Sequence, residues 1–322
     1  MSPARTAATS KATKATKAST ASNKPTKPAT APGPLVDAAW LAANHDDPTL
    51  RLVHVSPDRR IYNKRHLAGA VYADLHRELA LRGTAPETGD VERESLVPTR
   101  EQLQVTLRAW RVGVGDRVVF YDDVGLNRHA IRGYWLLRLY GFPAADVHVL
   151  DGGIDAWSRA EQPTTKDVPE ADLADGLRQP VTLRERDEAL ITDFDAVLAW
   201  SRESAASLAA PTRLLDVRTA AEWIGQDVRS KRGGHIPGAR QRAFEDLLTP
   251  DGTFRSVDEM LSLIRSAGTD PAQVRAVYCQ SGVRSSLGWF VLHELAGVHE
   301  VRNYAGSWEE WGNRDDSPVE CP

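Results

Sequence analysis

The stretch AVYCQSGVRSS, Ala276–Ser286, places the one interior cysteine of the chain where an apolar run meets a turn rich in Gly and Ser. The run VRAVYC has the aromatic and β-branched residues of a strand, and SSLGWFVLHELAG after the turn predicts a helix that ends at Gly297. An inert buried thiol would have apolar neighbours on both sides. This thiol has them on one side, so we expect it in an exposed strand-to-helix loop.

The elements on either side of this loop alternate between helix and strand. Ser256 and Glu259 have the spacing of a capping box, which predicts a helix through Ile264 that Gly268 stops. The run VHEVRNY predicts a further strand. The same order occurs earlier in the chain, with a capping box at Thr99–Gln102, the strand DRVVFYD, the helix RHAIRGYWLLRLYG and the strand ADVHVL.

Short motifs repeat in the same order as these elements. HLAGA at His66 matches HIPGA at His235, and DGGIDAW at Asp151 matches YAGSWEEW at Tyr304. Two copies of one unit, each alternating strands and helices, predict an α/β protein with two similar domains built on parallel sheets. Domains of this kind are expected to pack together, with an active site at the seam.

Composition sets the predicted boundaries at residues 1–34, 35–160, 161–187 and 188–322. Residues 1–34 carry six positive charges and no acidic residue, and they are nearly all Ala, Thr, Ser, Lys and Pro. Such a segment buries too little apolar surface to fold, so we predict a disordered, solvated tail. A weak tether to nucleic acid or an acidic surface, or a targeting peptide, is the alternative. Residues 161–187, rich in Pro and charge, are the predicted linker between two domains.

The chain shows no apolar run long enough to span a membrane and no apolar signal segment, so a cytoplasmic protein without membrane or nucleic-acid partners is expected. Its two cysteines cannot form a disulfide framework. Cys321, next to the C-terminus, could act as a resolving thiol, but a free terminus is the simpler prediction.

One difference between the copies bears on function. The second copy has Cys279-Gln-Ser-Gly-Val-Arg284 at the strand end, and the first has Asp122-Asp-Val-Gly-Leu-Asn127. At the carboxyl end of a parallel strand, before a helix, successive backbone N–H groups can surround an anion and favour a thiolate. We therefore expect Cys279 to be a nucleophile that solvent can reach and that amides of residues 280–285 surround.

Four motifs together carry a family resemblance: CQSGVRS, LLDVR at Leu214–Arg218, RGGHIPGA at Arg232–Ala239 and YAGSWEEW. In this order they resemble the tandem-domain rhodaneses, the thiosulfate and 3-mercaptopyruvate sulfurtransferases, over about residues 35–322. The resemblance implies a catalytically silent first domain. It also implies that Cys279 takes a sulfane sulfur from a small-molecule donor and holds it as a persulfide until cyanide or a thiol accepts it. No metal and no organic cofactor are implied.

The resemblance also implies roles for neighbouring residues. The active-site loop would comprise Gln280, Ser281, Gly282, Val283, Arg284 and Ser285. Arg284 would anchor this loop to a carboxylate, with Glu222 and Asp216 as candidates. Four residues are expected either to anchor the loop or to supply the electrostatic field around the substrate: Asp216, Arg218, Glu222 and Arg232. Lys231, beside Arg232, could add positive charge. A structural pairing of Asp216 with Arg218 is the alternative.

The donor and the reaction class leave alternatives open. Cysteine phosphatases have one more residue between Cys and Arg, so a phosphate should fit this loop poorly. Mercaptopyruvate enzymes of the family carry an arginine where this chain has Glu222, and a carboxylate there would repel the substrate, which favours thiosulfate. The basic pair that follows the cysteine in classical thiosulfate enzymes is absent. The second class of hypothesis is a persulfide carrier or regulatory module that hands sulfur to a protein partner.

Several other tempting side chains have simpler structural interpretations. His66 and His235 occupy the same place in both copies, including the silent one, so a role in a turn is expected rather than acid–base chemistry. Trp308 and Trp311 are expected in the core.

Overall fold

The structure is a computed structural model that describes Met1 and residues 33–84, 92–169, 178–207 and 209–321. Nearly all of the predicted tail lies outside these residues, as does the middle of the predicted linker. The strands are β1 Leu35–Val36, β2 Leu50–Ser56, β3 Val71–Asp74, β4 Leu81–Thr84, β5 Glu92–Leu96, β6 Arg117–Asp122, β7 Val147–Leu150, β8 Ile191–Thr192, β9 Leu214–Asp216, β10 Arg240–Gln241, β11 Ala276–Tyr278 and β12 Arg302–Tyr304.

The α-helices are α1 Ala38–Asn44, α2 Arg59–Lys64, α3 Arg100–Ala109, α4 Arg128–Leu139, α5 Gly153–Arg159, α6 Phe194–Ala205, α7 Ala220–Trp223, α8 Val257–Ser266, α9 Arg284–Trp289 and α10 Ser307–Trp311. Two segments, Leu75–Leu79 and Phe290–Leu295, are π-helical, and three short 3-10 turns lie at Ala144–Asp146, Phe244–Leu247 and Pro271–Gln273. The helix predicted up to Gly297 is therefore α9 continued by a π-helical segment.

Two parallel sheets with the same strand order form the two domains. The first sheet has the order β1-β7-β6-β2-β3, and the second has β8-β12-β11-β9-β10 when read in the same direction. Every pairing within these two sheets is parallel, and helices flank them. The predicted α/β class and the predicted repeat of a parallel-sheet unit are confirmed. The first domain adds a hairpin of β4 and β5.

Local sequence signals explain where the helices begin. Thr99 caps α3 and Ser256 caps α8, each in a complete capping box whose third helical residue bonds back to the cap. Glu222 closes a third capping box on α7, with Thr219 as the cap. This last box places the Glu222 carboxylate beside Arg284, the first residue of α9.

The two domains pack through α4 and α9. Tyr134 on α4 meets Phe290 edge to face with ring centroids 4.9 Å apart, and its hydroxyl donates to Glu294 at 2.9 Å. Arg138 on α4 forms an ion pair with the same carboxylate at 3.2 Å. Apolar side chains of both domains thus join one continuous core. The helix that follows the Asp122 loop therefore lies against the helix that follows the Cys279 loop.

The described part of the predicted linker runs along the first domain. Thr165 pairs with His66 in an antiparallel bridge, and Arg184 donates its backbone N–H to Tyr140 at 2.9 Å. Helices that could span a bilayer are absent from the described ranges.

Candidate active site

Cys279 follows β11, a strand inside the second sheet between β9 and β12. Its side chain is fully buried. The Gly282 N–H donates to Sγ at 3.1 Å, and the Ser307 hydroxyl lies 3.9 Å from Sγ. The cysteine therefore contacts polar donors on the loop side, although it also belongs to the apolar core.

The expectation that solvent reaches the sulfur is wrong for this structure, and one loop amide, rather than a ring of them, contacts Sγ among the described hydrogen bonds. The loop folds over the sulfur because Gly282 adopts a left-handed conformation, with φ of 85°, against Ala305. A Cβ at this position would lie 2.5 Å from the Ala305 carbonyl oxygen, so a side chain there would hold the loop away.

The guanidinium of Arg284 is bound to Glu222. Its two terminal nitrogens donate to the two carboxylate oxygens at 2.7 and 2.6 Å, which is a bidentate pair. Burial acts to raise the pKa of Glu222, but the hydrogen bond and charge of Arg284 outweigh it and lower the pKa to about 2. The Glu222 side chain is fully buried. The charge of Arg284 therefore balances the charge of Glu222. The inference that Glu222 would repel a substrate carboxylate has no support in this geometry.

Asp216, the other candidate anchor, pairs with Arg218 instead. The Arg218 Nε and Nη2 atoms donate to the carboxylate at 2.7 to 3.0 Å, and Nη2 also donates to the Gly234 carbonyl. Both side chains are buried, and the guanidinium stacks over Trp308. The observed contacts thus agree with a structural pairing of Asp216 with Arg218. They do not agree with an Arg218 whose charge is directed at a substrate.

Arg232 also faces away from the loop. It donates to backbone carbonyls of Trp311 and Ser317, near the C-terminus. The terminal segment is held there, because Glu320 pairs with His235 in a bridge and the Cys321 thiol donates to Ile224 at 3.3 Å. The prediction of a free terminus at Cys321 is therefore wrong, since backbone and side-chain hydrogen bonds secure it.

The first residues of α10 form hydrogen bonds with the cysteine loop. Ser307 Oγ accepts the Cys279 N–H at 3.1 Å, and the N–H groups of Trp308 and Glu309 donate to the carbonyls of Cys279 and Gln280 at 2.9 and 2.7 Å. Ser307 has φ of 52°, a strained value for a residue with a side chain, and the matching Gly153 of the first copy has φ of 56°. The two copies thus share this backbone conformation, while Ser307 adds a hydroxyl.

A buried polar cluster holds the middle of the loop. Asn303 Nδ2 and Ser286 Oγ donate to the Gly282 carbonyl at 3.3 and 3.1 Å, and Ser285 Oγ donates to Asn303 at 2.7 Å. A third donor to the same carbonyl comes from the first domain, where Arg132 Nη1 lies 3.2 Å away. The loop is therefore fixed from both domains.

The first copy places Asp122 where the second has Cys279. Asp122 is fully buried and accepts the His129 N–H at 3.1 Å and the Ala130 N–H at 3.5 Å. Burial raises the pKa of Asp122 to about 6. A carboxylate bound by the N-terminus of α4 can stabilise this helix, but it cannot accept a sulfur atom as a thiolate does.

A cavity of about 660 Å³ lies between the domains, with the cysteine loop as one wall. The second domain contributes Gln280, Ser281, Val283, Arg284, Arg229, Glu309 and Asn313, and the first contributes Pro57, Leu75, His76, Glu92, Glu94, Arg128 and His129. The cavity lies at the domain seam, and an active site there stays a prediction. Clusters of three or more His, Cys, Asp or Glu that could hold a metal ion do not occur in the described ranges.

Sequence reasoning missed the contributions of Ser307, Asn303 and the first domain. The motif YAGSWEEW contained Ser307, and its alignment with DGGIDAW marks the change from glycine. Arg132 had a signal too, since it is a charge in an otherwise apolar stretch of α4. Neither signal specifies the partner: Ser307 contacts Cys279 within its own domain, and Arg132 contacts Gly282 of the other domain. His66 and His235 each lie in an isolated bridge just before a turn, where each ring binds a backbone carbonyl and stacks on an aromatic ring.

Comparison with known proteins assigns the class. The rhodanese-like domain matches this chain twice, over residues 37–160 and 201–314. The chain therefore belongs to the rhodanese family. A thiosulfate sulfurtransferase of Corynebacterium glutamicum is 35% identical over 300 residues, which cover 90% of this chain and 91% of the relative.

Solved structures give the same fold. SseA from Escherichia coli, described as a 3-mercaptopyruvate sulfotransferase, superposes with a TM-score of 0.71 at 24% identity, covering 86% of this chain and 99% of its own. EanB, in a persulfide form with ergothioneine, superposes with a TM-score of 0.72 at 25% identity, covering 89% of this chain and 70% of its own. The two matched domains and the names of the relatives identify the chain as a sulfurtransferase enzyme of the thiosulfate or 3-mercaptopyruvate type.

Proposed function

We propose that the protein transfers a sulfane sulfur from thiosulfate to cyanide or a thiol through a persulfide on Cys279. The observation that carries this proposal is the closed loop around the sulfur, in which the Gly282 N–H lies 3.1 Å from Sγ and the Arg284–Glu222 pair secures the far end. A persulfide is a large, soft anion that needs hydrogen-bond donors and nearby positive charge rather than a proton acceptor.

The transfer has two balanced steps. In the first, the Cys279 thiolate attacks the outer sulfur of thiosulfate, a new S–S bond forms, and sulfite leaves with the electron pair of the broken bond. In the second, the lone pair of cyanide attacks the outer sulfur, thiocyanate leaves, and the bonding electrons return to Sγ as the thiolate. A thiolate acceptor would leave as its own persulfide by the same step.

Donors reach the sulfur from the cavity between the domains. Gln280, Ser281, Val283 and Arg284 line it and belong to the loop that encloses Sγ. Gln280 Nε2 donates to Ser230 Oγ at 3.2 Å, and a donor can reach the buried thiol only if this loop moves outward. Arg128 also lines the cavity and suits an anionic donor, whereas Arg229 is paired with Asp227, and the carboxylates of Glu92, Glu94 and Glu309 share the lining.

Thiosulfate is the proposed donor because the 35% identical relative is named for it. The EanB structure with a persulfide supports the intermediate. The roles of Cys279 as the nucleophile and of its loop as the anion site are part of the proposal.

The test is thiocyanate formation from purified protein and cyanide, with thiosulfate and 3-mercaptopyruvate as parallel donors. We expect faster turnover with thiosulfate, and no turnover above background for Cys279→Ser. Cys321→Ser is the matched control and should retain full activity. A clear preference for 3-mercaptopyruvate would overturn the donor, and activity in Cys279→Ser would overturn the site.

A further inference from the structure

Arg132 on α4 of the first domain is a fully buried arginine directed at the active loop of the second. Its Nε donates to the Leu79 carbonyl at 3.0 Å, and its Nη1 donates to the Gly282 carbonyl at 3.2 Å. The guanidinium carbon lies 4.8 Å from the ring centroid of Trp135. Nη2 is buried and has no hydrogen-bond partner among the described residues.

The charge of Arg132 has no carboxylate partner in the described ranges, since its hydrogen bonds go to backbone carbonyls. Burying an unpaired guanidinium is costly, and such groups are rare unless another charge compensates them. Burial lowers the pKa of Arg132 to about 9, and the charge on Cys279 is the largest influence that acts to raise this pKa. Arg132 therefore stays protonated near neutral pH.

The other groups that face the sulfur supply less net charge. Arg284 interacts with Cys279 as well, but Glu222 holds it in a bidentate pair. Arg93 on β5 repels Arg132 and is 3.8 Å from the carboxylate of Glu309. Ser307 and the Gly282 N–H are neutral donors. Arg132 is thus the cation near Sγ that no carboxylate balances within the described contacts.

We propose that Arg132 is a positioning residue through which the silent domain takes part in the transfer. It fixes the Gly282 carbonyl, and so the Gly282 N–H that touches Sγ, and its charge stabilises the Cys279 thiolate and the persulfide anion. This inference rests on the proposed function. It gives the first domain, which has no nucleophile, a direct role in the chemistry of the second.

The test measures ionisation of Cys279 without any donor. Thiolate absorbance in the ultraviolet is followed against pH in the full chain, and the trace of the matching Cys279→Ser protein is subtracted. For Arg132→Gln, which removes the charge and, being two atoms shorter, also the Gly282 contact, we expect the thiolate-to-thiol ratio at a given pH to fall about tenfold, which is one pH unit. Arg138→Gln, on the same helix but bound to Glu294, is the control and should match the parent.

Arg132→Lys separates charge from position and serves if Arg132→Gln does not fold. Lysine keeps the charge but cannot bind the Leu79 and Gly282 carbonyls with a planar fork. We expect its thiolate ratio to stay within about twofold of the parent while kcat for thiocyanate formation falls. The proposal would be overturned if folded Arg132→Gln kept the thiolate-to-thiol ratio of the parent. It would also be overturned if Arg132→Lys lost that ratio tenfold, or if its kcat equalled that of the parent. Failure of the proposed function would instead appear as a parent without turnover.

Discussion

At the scale of single residues, the Arg284–Glu222 pair joins the end of the cysteine loop to α7. The carboxylate is fully buried and the guanidinium nearly so. Removing one partner leaves the other charged in a poorly solvated place, which costs far more than the loss of an exposed pair. The capping box on α7 adds to this, because Glu222 also accepts the Thr219 N–H at 3.0 Å.

Glu222→Gln should therefore destabilise the protein by about 3–5 kcal/mol in denaturant unfolding at neutral pH. Glu203→Gln, which breaks the exposed pair with Arg213, is the matched control and should lose less than about 1 kcal/mol. Equal losses in the two variants would show that the buried pair does not secure the loop.

The same pair predicts a pH dependence. The pKa of Glu222 lies below its ordinary value of 4.5, at about 2, because Arg284 outweighs the effect of burial. A depressed folded-state pKa stabilises the protein above pH about 4.5, and this contribution is lost as the pH falls toward about 2. Across that interval the parent should lose stability more steeply than Glu222→Gln. Parallel pH profiles for the two proteins would contradict the assignment.

At the scale of elements, the loop between β11 and α9 depends on the backbone of Gly282. Its φ of 85° lies in the left-handed region, and a Cβ would meet the Ala305 backbone at 2.5 to 3.1 Å. Gly115 has the same φ of 85°, but a Cβ added there would have no atom within 4 Å. Gly115 is therefore a matched reference for the conformational cost alone.

Gly115→Ala should cost about 1–2 kcal/mol for the left-handed conformation. Gly282→Ala should cost more, because the loop must also move off Ala305, and turnover should fall on the order of tenfold or more as the Gly282 N–H leaves the sulfur. Unfolding curves and thiocyanate assays on both variants check this. Equal stability losses with unchanged turnover in Gly282→Ala would contradict the role of the close approach.

Elements were predictable where local chemistry determines them. Thr99 and Ser256 mark helix starts through their capping boxes, and the apolar runs before Asp122 and Cys279 mark the central strands. The burial of Cys279 was not predictable, because it depends on how closely Gly282 approaches Ala305, a residue far along the chain. The choice of Glu222 over Asp216 as the anchor for Arg284 likewise depends on the tertiary placement of α7.

At the scale of the whole molecule, the repeat explains why the two sheets share one strand order. The interface between the domains brings residues of both to one cavity. Motif order in the sequence predicts two similar domains. It does not predict that α4 packs on α9, because that contact depends on side-chain complementarity between faces that are both apolar. The cavity residues of the first domain, such as His76 and Arg128, could not be identified without this packing.

Glu294 tests the interface directly. It accepts the Tyr134 hydroxyl and the Arg138 guanidinium from the other domain, and the three groups are largely buried. Glu294→Gln should lower stability by about 1–3 kcal/mol, seen as a melting temperature several degrees lower. Exposed Glu300→Gln, which removes the partner of Arg275 within one domain, is the control. Identical melting temperatures for Glu294→Gln and the parent would show that this contact does not hold the domains together.

The most direct measurement of the central proposal is the mass of the protein after incubation with thiosulfate in the absence of an acceptor. The account predicts the gain of one sulfur atom, located by peptide mapping on Cys279, and its loss when cyanide is added. A protein that gains no sulfur while still forming thiocyanate, or one that carries the added sulfur on Cys321, would contradict it.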